Sequence, residues 1–350
     1  MSKRTRRGIA LLAVAGAFAW SGAAGTAEAA QIDGPKVEWK AAMWGKPRAA
    51  SAHMEAYSKL VEKATGGKFT IEVSYGGLAA PKEFLDGMKV NAFEMALAVA
   101  AYYPGKIPTW TVFELPFIPV KTLGQQKAVW SAYAGVPEVE QDFGKWNATY
   151  LVPNIIPTYE LMGKGTPPKT LGDLKGRRVR APGGMGRALA KLGAVPTSMP
   201  SSELYGSLER GLVDSATVAA YFAYSFRLYE LSTWYTQGLA LGTAAGFVAV
   251  STETLESLPA QYRKLLFDLR DQVTAEQIAA YNVEQERGEK AFREKGLDFV
   301  TFSKADRDKF VEIGGRPIWE EWVKDMESKG LPGRKLLDFV LAEAEKHQDK

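Results

Sequence analysis

The sequence predicts a two-lobed α/β chain, and three observations predict it. From Lys36 to about Gly135, strand-like and helix-like stretches alternate, which calls for a mostly parallel sheet with helices on its faces. From Thr149 the same alternation starts again, as a second lobe would. Beyond Thr252 the chain turns helical for nearly forty residues, long enough to lie across both lobes as one helix or a pair.

The elements follow in order. "KVEWKAAMW" (36–44) reads as a strand and "GKPRAAS" as a polar turn. In "AHMEAYSKLVEKATGGK", Met54, Tyr57, Leu60 and Val61 recur at helical spacing, and Gly66-Gly67 stop the helix. "FTIEVSY" alternates as a half-buried strand does, a short helix lies around 82–90, and "FEMALAVA" is a buried strand. "TVFELPFI" (111–118) leads to the helix "KTLGQQKAVWSAYAG". In the second run, "TYLVPNIIPTYELMG" holds a strand, "GRRVR" a short basic strand, and "GGMGRALAKLG" a helix opening after glycines. "AVPTSMPSSELYGSLERGLVDSATV" reads as loop, helix and strand, and "PAQYRKLLFDLRDQVTAEQIAAYNVEQERGEKAFREKG" is the long helical tail.

The N-terminus is expected to be an export signal, residues 1–29. Lys3, Arg4, Arg6 and Arg7 precede the apolar run Gly8–Trp20, and "AEA" (27–29) offers a cleavage site. The general secretory route fits; "TRR" (5–7) loosely fits a twin-arginine signal. Cleavage leaves 40 basic residues against 39 acidic ones, so the charge balance points to neither nucleic acid nor a membrane surface. No later stretch reaches membrane-spanning length. There is no cysteine, which excludes disulfides, thiol catalysis and thiolate metal sites. The roughly 320 remaining residues suffice for two lobes with their own cores.

Catalytic chemistry is scarce. The two histidines are His53, at a helix start, and His347, near the end. There is no GxSxG, HExxH, Walker motif or GxGxxG after a strand. "GGMG" (183–186) lacks phosphate-loop spacing and reads as a tight turn feeding a helix. No enzyme, cofactor or metal site is expected. Aromatics are another matter. Trp44, Tyr75, Tyr102, Tyr103, Trp110, Tyr221, Phe222 and Tyr224 stand near strand ends, where two-lobed α/β proteins hold small ligands in a cleft and close on them. In "DLKGRRVRAP", Arg178 and Arg180 share one strand face and Val179 takes the other.

"FELPFI", "DLKGRRVRAP", "GAVPTSMPSSELYGSLERGLVDS" and the helical tail, in that order, resemble the solute-binding proteins of tripartite ATP-independent periplasmic (TRAP) transporters, of the DctP type. The resemblance spans essentially the whole chain after the leader. It implies a two-lobed periplasmic binding fold, type II-like, with mixed sheets flanked by helices and a long helix spanning both lobes. The expected division is 30–154 with 242–280 for one lobe and 155–241 with 281–350 for the other. It implies a periplasmic, non-enzymatic receptor that takes a carboxylate to the small and large permease subunits in the inner membrane. In the family the arginine of "K-x-R-x-P" forms a bidentate salt bridge to the ligand carboxylate, and Arg180 stands at that position. Arg177 and Arg178 fall at variable positions and are expected to face solvent.

The departures shape the expected ligand. The slot of a second arginine in many members holds Glu160, or Tyr159 with a one-residue slip, and Val218 replaces the asparagine of "DGQEN". Polar positions of sugar-acid members become Met43 or Trp44, Val99 and Tyr102. Sugar hydroxyls would be left unpaired there. An apolar or aromatic monocarboxylate fits better, with its head on Arg180 and its body against Trp44, Tyr102 and Tyr221. Two alternatives stay open: a zwitterion such as a betaine or amino acid held by Glu160, and an exported lyase or hydrolase using Glu160 as base.

Overall fold

In the computed structural model, residues 31–103 and 105–349 are described, and the leader expected at 1–29 lies outside them. Two sheets organise the chain. The first has the order β2-β1-β3-β10-β4, from β1 (Val37–Ala42), β2 (Phe69–Ser74), β3 (Met95–Val99), β4 (Ala148–Asn154) and β10 (Gly246–Ser251). The second runs β11-β9-β5-β8-β6-β7, from β5 (Glu160–Gly163), β6 (Arg178–Arg180), β7 (Val195–Thr197), β8 (Ser215–Val218), β9 (Trp234–Thr236) and β11 (Asp298–Val300). Every residue of the interior strands β3 and β10 is buried, because helices cover both faces.

Helices α1 (Ala52–Thr65), α2 (Phe84–Lys89), α3 (Leu123–Ala134) and α4 (Pro137–Gly144) belong to the first lobe. Helices α5 (Gly183–Lys191), α6 (Leu204–Glu209) and α7 (Ala220–Ser225) belong to the second. Gly66 takes the left-handed conformation (φ 61°) that ends α1, as the sequence predicts. The tail folds as α8 (Thr252–Ser257), α9 (Ala260–Asp268), α10 (Arg270–Lys295), α11 (Lys304–Gly314), α12 (Arg316–Ser328) and α13 (Gly333–Lys346). The long tail is thus two helices, α9 and α10, that meet at Leu269.

Both sheets are mixed, where alternation alone predicts mostly parallel ones. Strand β10 runs antiparallel to β3 and β4, and β5 runs antiparallel to β8 and β9. The cause is the crossing of the chain between lobes. Strand β4 ends at the cleft, so the chain enters the second sheet from its cleft end and β5 runs backwards; β9 to β10 repeats this in the other direction. The two crossings, 155–159 and 237–245, pair through Tyr159 N to Gly242 O (2.7 Å) and Leu241 N to Tyr159 O (3.0 Å).

Helix α10 packs against α1 and β4 of the first lobe and α7 of the second. Its Gly288 lies against Ala220 O, where a Cβ would come within 2.6 Å of the carbonyl. Helix α13 packs on α3, an element of the first lobe, while α11 and α12 touch α5 of the second. An aromatic core fills the first lobe: Phe113 of "FELPF" stacks on Trp130 at 3.8 Å, and Trp110 packs edge-on against Phe113, Phe143 and Phe247.

Candidate functional site

The crossing topology brings one end of every relevant strand to the same place. Parallel strands β1, β3, β6 and β8 deliver their carboxyl ends to the cleft, and the reversed strands β5 and β10 begin there. A cavity lies between them, lined by Trp44, Arg48, Val99, Tyr102, Asn154, Tyr159, Arg180, Ser201, Tyr221, Phe222 and Phe226. Its volume is about 40 Å³. That is less than a small aromatic ligand needs, so the cleft is nearly shut. A larger cleft of about 560 Å³ runs along the edge strand β4 between Lys127, Tyr150 and Arg270, and holds none of the predicted site residues.

Arg180 ends β6 and is 3% exposed. Its Nε and Nη2 donate to Met199 O at 3.2 and 2.9 Å, which fixes the fork, and its Cζ lies 5.7 Å from the Phe222 ring. Its Nη1 is buried with no hydrogen-bond partner. A buried guanidinium with an unpaired edge and no ion-pair partner among the described residues has the chemistry to take up an anion. The other arginines of the cluster are engaged outside the cavity. Arg178 is exposed and makes a forked contact to Asp214, with Nη2 to Oδ1 at 2.6 Å. Arg177 donates to Asp173 O and Thr166 O.

Trp44, Val99, Tyr102, Tyr159 and Tyr221 all line the cavity with Arg180. Burial pushes the Tyr159 and Tyr221 phenols well up from their ordinary value, so they remain neutral. Three predicted residues do not reach it. Met43, just past the end of β1, is buried in the core beside Trp44 and is not on the cavity wall. At the start of β5 the alternation of side chains separates Tyr159 from Glu160. The Glu160 carboxylate turns into the second lobe, accepting from Thr236 Oγ1 (2.6 Å), Leu239 N (3.1 Å) and Ala240 N (3.0 Å). Burial raises its pKa against the opposing pull of those bonds. Val218 is fully buried and paired with Glu160 across β5 and β8.

Of the other aromatics, Phe222 lines the cavity, Trp110 is core, Tyr103 caps Pro81 O, Tyr75 bonds Glu55, and Tyr224 stacks on Tyr229. His53 is buried against Gln277, and burial pulls its pKa down to about 3, so it is a neutral core residue. The glycines of "GGMG" serve close packing: Cβ atoms on Gly183 and Gly184 would collide with Glu114 of the 109–114 turn. Among the described residues no cluster of acidic and histidine side chains could hold a metal ion, and no helix is long and apolar enough to cross a membrane.

Sequence reasoning missed Arg48, Asn154, Ser201 and Phe226. Arg48 sits in the turn read only as polar, yet that turn follows the carboxyl end of a strand, where ligand contacts gather. Asn154, the last residue of β4, is held by Gln277 Nε2 (2.6 Å) from the long helix.

The family model of bacterial extracellular solute-binding proteins, family 7 (DctP), matches residues 44–325. Among curated proteins, an outer membrane transporter protein, TsaT, of Comamonas testosteroni is 23% identical over 299 residues, 83% of this chain and 86% of that protein. A TRAP solute binding protein from a marine metagenome, specific for aromatic acid ligands and solved with 3-hydroxybenzoate, superposes with a TM-score of 0.81 at 22% identity. The match covers 91% of this chain and 100% of that one. A TRAP solute binding protein from Rhodoferax ferrireducens with copurified benzoate superposes with a TM-score of 0.80 at 22% identity, over 89% and 99% of the two chains. These likenesses establish the two-lobed binding-protein fold.

Proposed function

The chain belongs to family 7 of the bacterial extracellular solute-binding proteins, and from that premise we propose that it captures an aromatic or apolar organic monocarboxylate in the periplasm and delivers it to the small and large subunits of a TRAP permease. Export would use the leader, by the general secretory or the twin-arginine route. The observation that carries the ligand class is the buried Nη1 of Arg180, without a partner, in a cavity walled by Trp44, Tyr102, Tyr159, Tyr221 and Phe222. A carboxylate supplies the missing acceptor, and ring faces supply apolar contact worth about 25 cal/mol per Å² removed from water. The named ligands of two fold relatives, 3-hydroxybenzoate and benzoate, support the same class.

The two readings built on Glu160 lose their residue. Its carboxylate is spent on three donors away from the cavity, so it neither faces a ligand cation nor stands where a base would act. A thermal-shift screen tests the proposal, since a ligand that binds only the folded state raises its melting temperature. Benzoate, hydroxybenzoates and mandelate should stabilise the protein more than succinate, malate, sialic acid or glycine betaine. Aliphatic dicarboxylates or sugar acids giving the largest shift would refute it.

A further inference from the structure

Arg48 is the second guanidinium of the cavity, and nothing in the Arg180 reading uses it. Its Nη1 donates to Trp44 O (2.7 Å) and Lys46 O (2.8 Å), which fixes the group. Its Nε and Nη2 make no hydrogen bond among the described residues, and no carboxylate lies within ion-pair distance. The acid whose field it feels, Glu284, already accepts from Ala49 N (2.9 Å) and Ser225 Oγ (3.2 Å). The Arg48 guanidinium is instead held between rings, 5.6 Å from Trp44 and 5.3 Å from Phe226. Burial lowers its pKa, and neighbouring phenols oppose that shift.

Both arginines line the cavity, each beside its own ring. Arg180 lies over Phe222, Arg48 lies over Phe226, and those two rings meet edge to face at 5.0 Å. Each cation thus has a different ring of the Phe222–Phe226 pair as its neighbour. A compact ligand with a single carboxylate would satisfy one cation and leave the other, half-buried among rings, without an acceptor. A planar ring with an acceptor at each end satisfies both.

We propose that Arg48 is a specificity-determining residue, and that the pocket selects aromatic acids carrying a second acceptor, a carboxylate or hydroxyl, on the ring position opposite the carboxylate that Arg180 holds. This rests on the proposed aromatic-acid function and narrows it.

The test is calorimetry with benzoate, 4-hydroxybenzoate, terephthalate and phthalate on the wild-type protein, Arg48→Gln and Arg48→Lys. Wild type should bind terephthalate and 4-hydroxybenzoate at least tenfold more tightly than benzoate, and phthalate, with its acceptors adjacent, no better than benzoate. Arg48→Gln should reduce that preference to threefold or less, and Arg48→Lys should retain part of the preference for terephthalate. The ratio of two ligands on one protein preparation does not depend on how much of a variant folds. Wild type that binds benzoate without preferring the para-substituted acids, or an Arg48→Gln variant that keeps the preference, overturns the role of Arg48 and leaves the aromatic-acid function standing. Wild type that binds none of the four acids overturns both.

Discussion

The indole Nε1 of Trp44 donates to Ser201 Oγ at 2.9 Å, joining the end of β1 in the first lobe to the loop after β7 in the second. Ser201 N donates in turn to Tyr102 Oη at 3.0 Å, so one serine is held by two aromatic residues across the cleft. These bonds form only when the lobes are together. Ser201→Ala removes the hydroxyl, worth about 0.5–1.5 kcal/mol net, and should weaken ligand binding roughly 2- to 10-fold. The loss should appear as faster dissociation in stopped-flow tryptophan fluorescence; an unchanged off-rate would mean that this contact does not hold the closed state.

Closure itself is open to measurement. A cavity that admits so little cannot fill without opening, and the paired crossings 155–159 and 237–245 are where the chain would bend. Small-angle scattering should give a larger radius of gyration for the empty protein than for the protein saturated with benzoate. Identical curves would exclude a hinge.

Glu160→Gln separates a structural role from a ligand role. Glutamine keeps one acceptor oxygen and turns an amide donor toward Thr236 Oγ1 or the amides of Leu239 and Ala240. Stability in urea should fall by about 1–3 kcal/mol, the cost of a buried group left unpaired. Benzoate affinity should stay within about twofold of wild type. A selective loss of binding at unchanged stability would place Glu160 in the site after all.

Glu114 gives the protein a pH signature. It is buried where the 109–114 turn meets α5, its Oε1 has no partner, and burial pushes its pKa up to about 8 from the ordinary 4.5. The unfolded chain therefore ionises first, and as pH rises from 4.5 to 8 this group progressively destabilises the fold, by up to about 1.4 kcal/mol per pH unit. Above about 8 the penalty is constant, and below 4.5 it vanishes. Glu114→Gln lacks the titration, so its melting temperature relative to wild type should climb across that window and then level off. A difference that stays flat with pH would show that Glu114 titrates normally.

What the sequence disclosed and what it hid follow from the same geometry. The places of Arg180, Val99 and Tyr159 on the cavity wall were legible through the family pattern, and those of Trp44, Tyr102 and Tyr221 also because they stand near strand ends. Parity could not be counted so well: whether Tyr159 or Glu160 faces the cavity depends on where β5 begins, one residue after the chain crosses between lobes. Arg48 was hidden because a cation in a polar turn is normally solvated, and its contacts with the Trp44 carbonyl and the Trp44 and Phe226 rings are tertiary ones that no local pattern announces. The reversed strands β5 and β10 were hidden too, since direction is a property of the crossing and not of any local pattern.

The central claim is that Arg180 alone among the cluster 177–180 holds the ligand carboxylate, and calorimetric titration of benzoate into four proteins tests it most directly. Arg180→Lys keeps the charge but loses the planar fork and the anchor on Met199 O, and should weaken binding at least tenfold or so. Arg180→Ala should weaken it further. Arg177→Ala and Arg178→Ala, whose partners Asp173, Thr166 and Asp214 lie outside the cavity, should bind as wild type does. Near-native affinity in Arg180→Ala, or an equal loss in all the variants, would contradict the account.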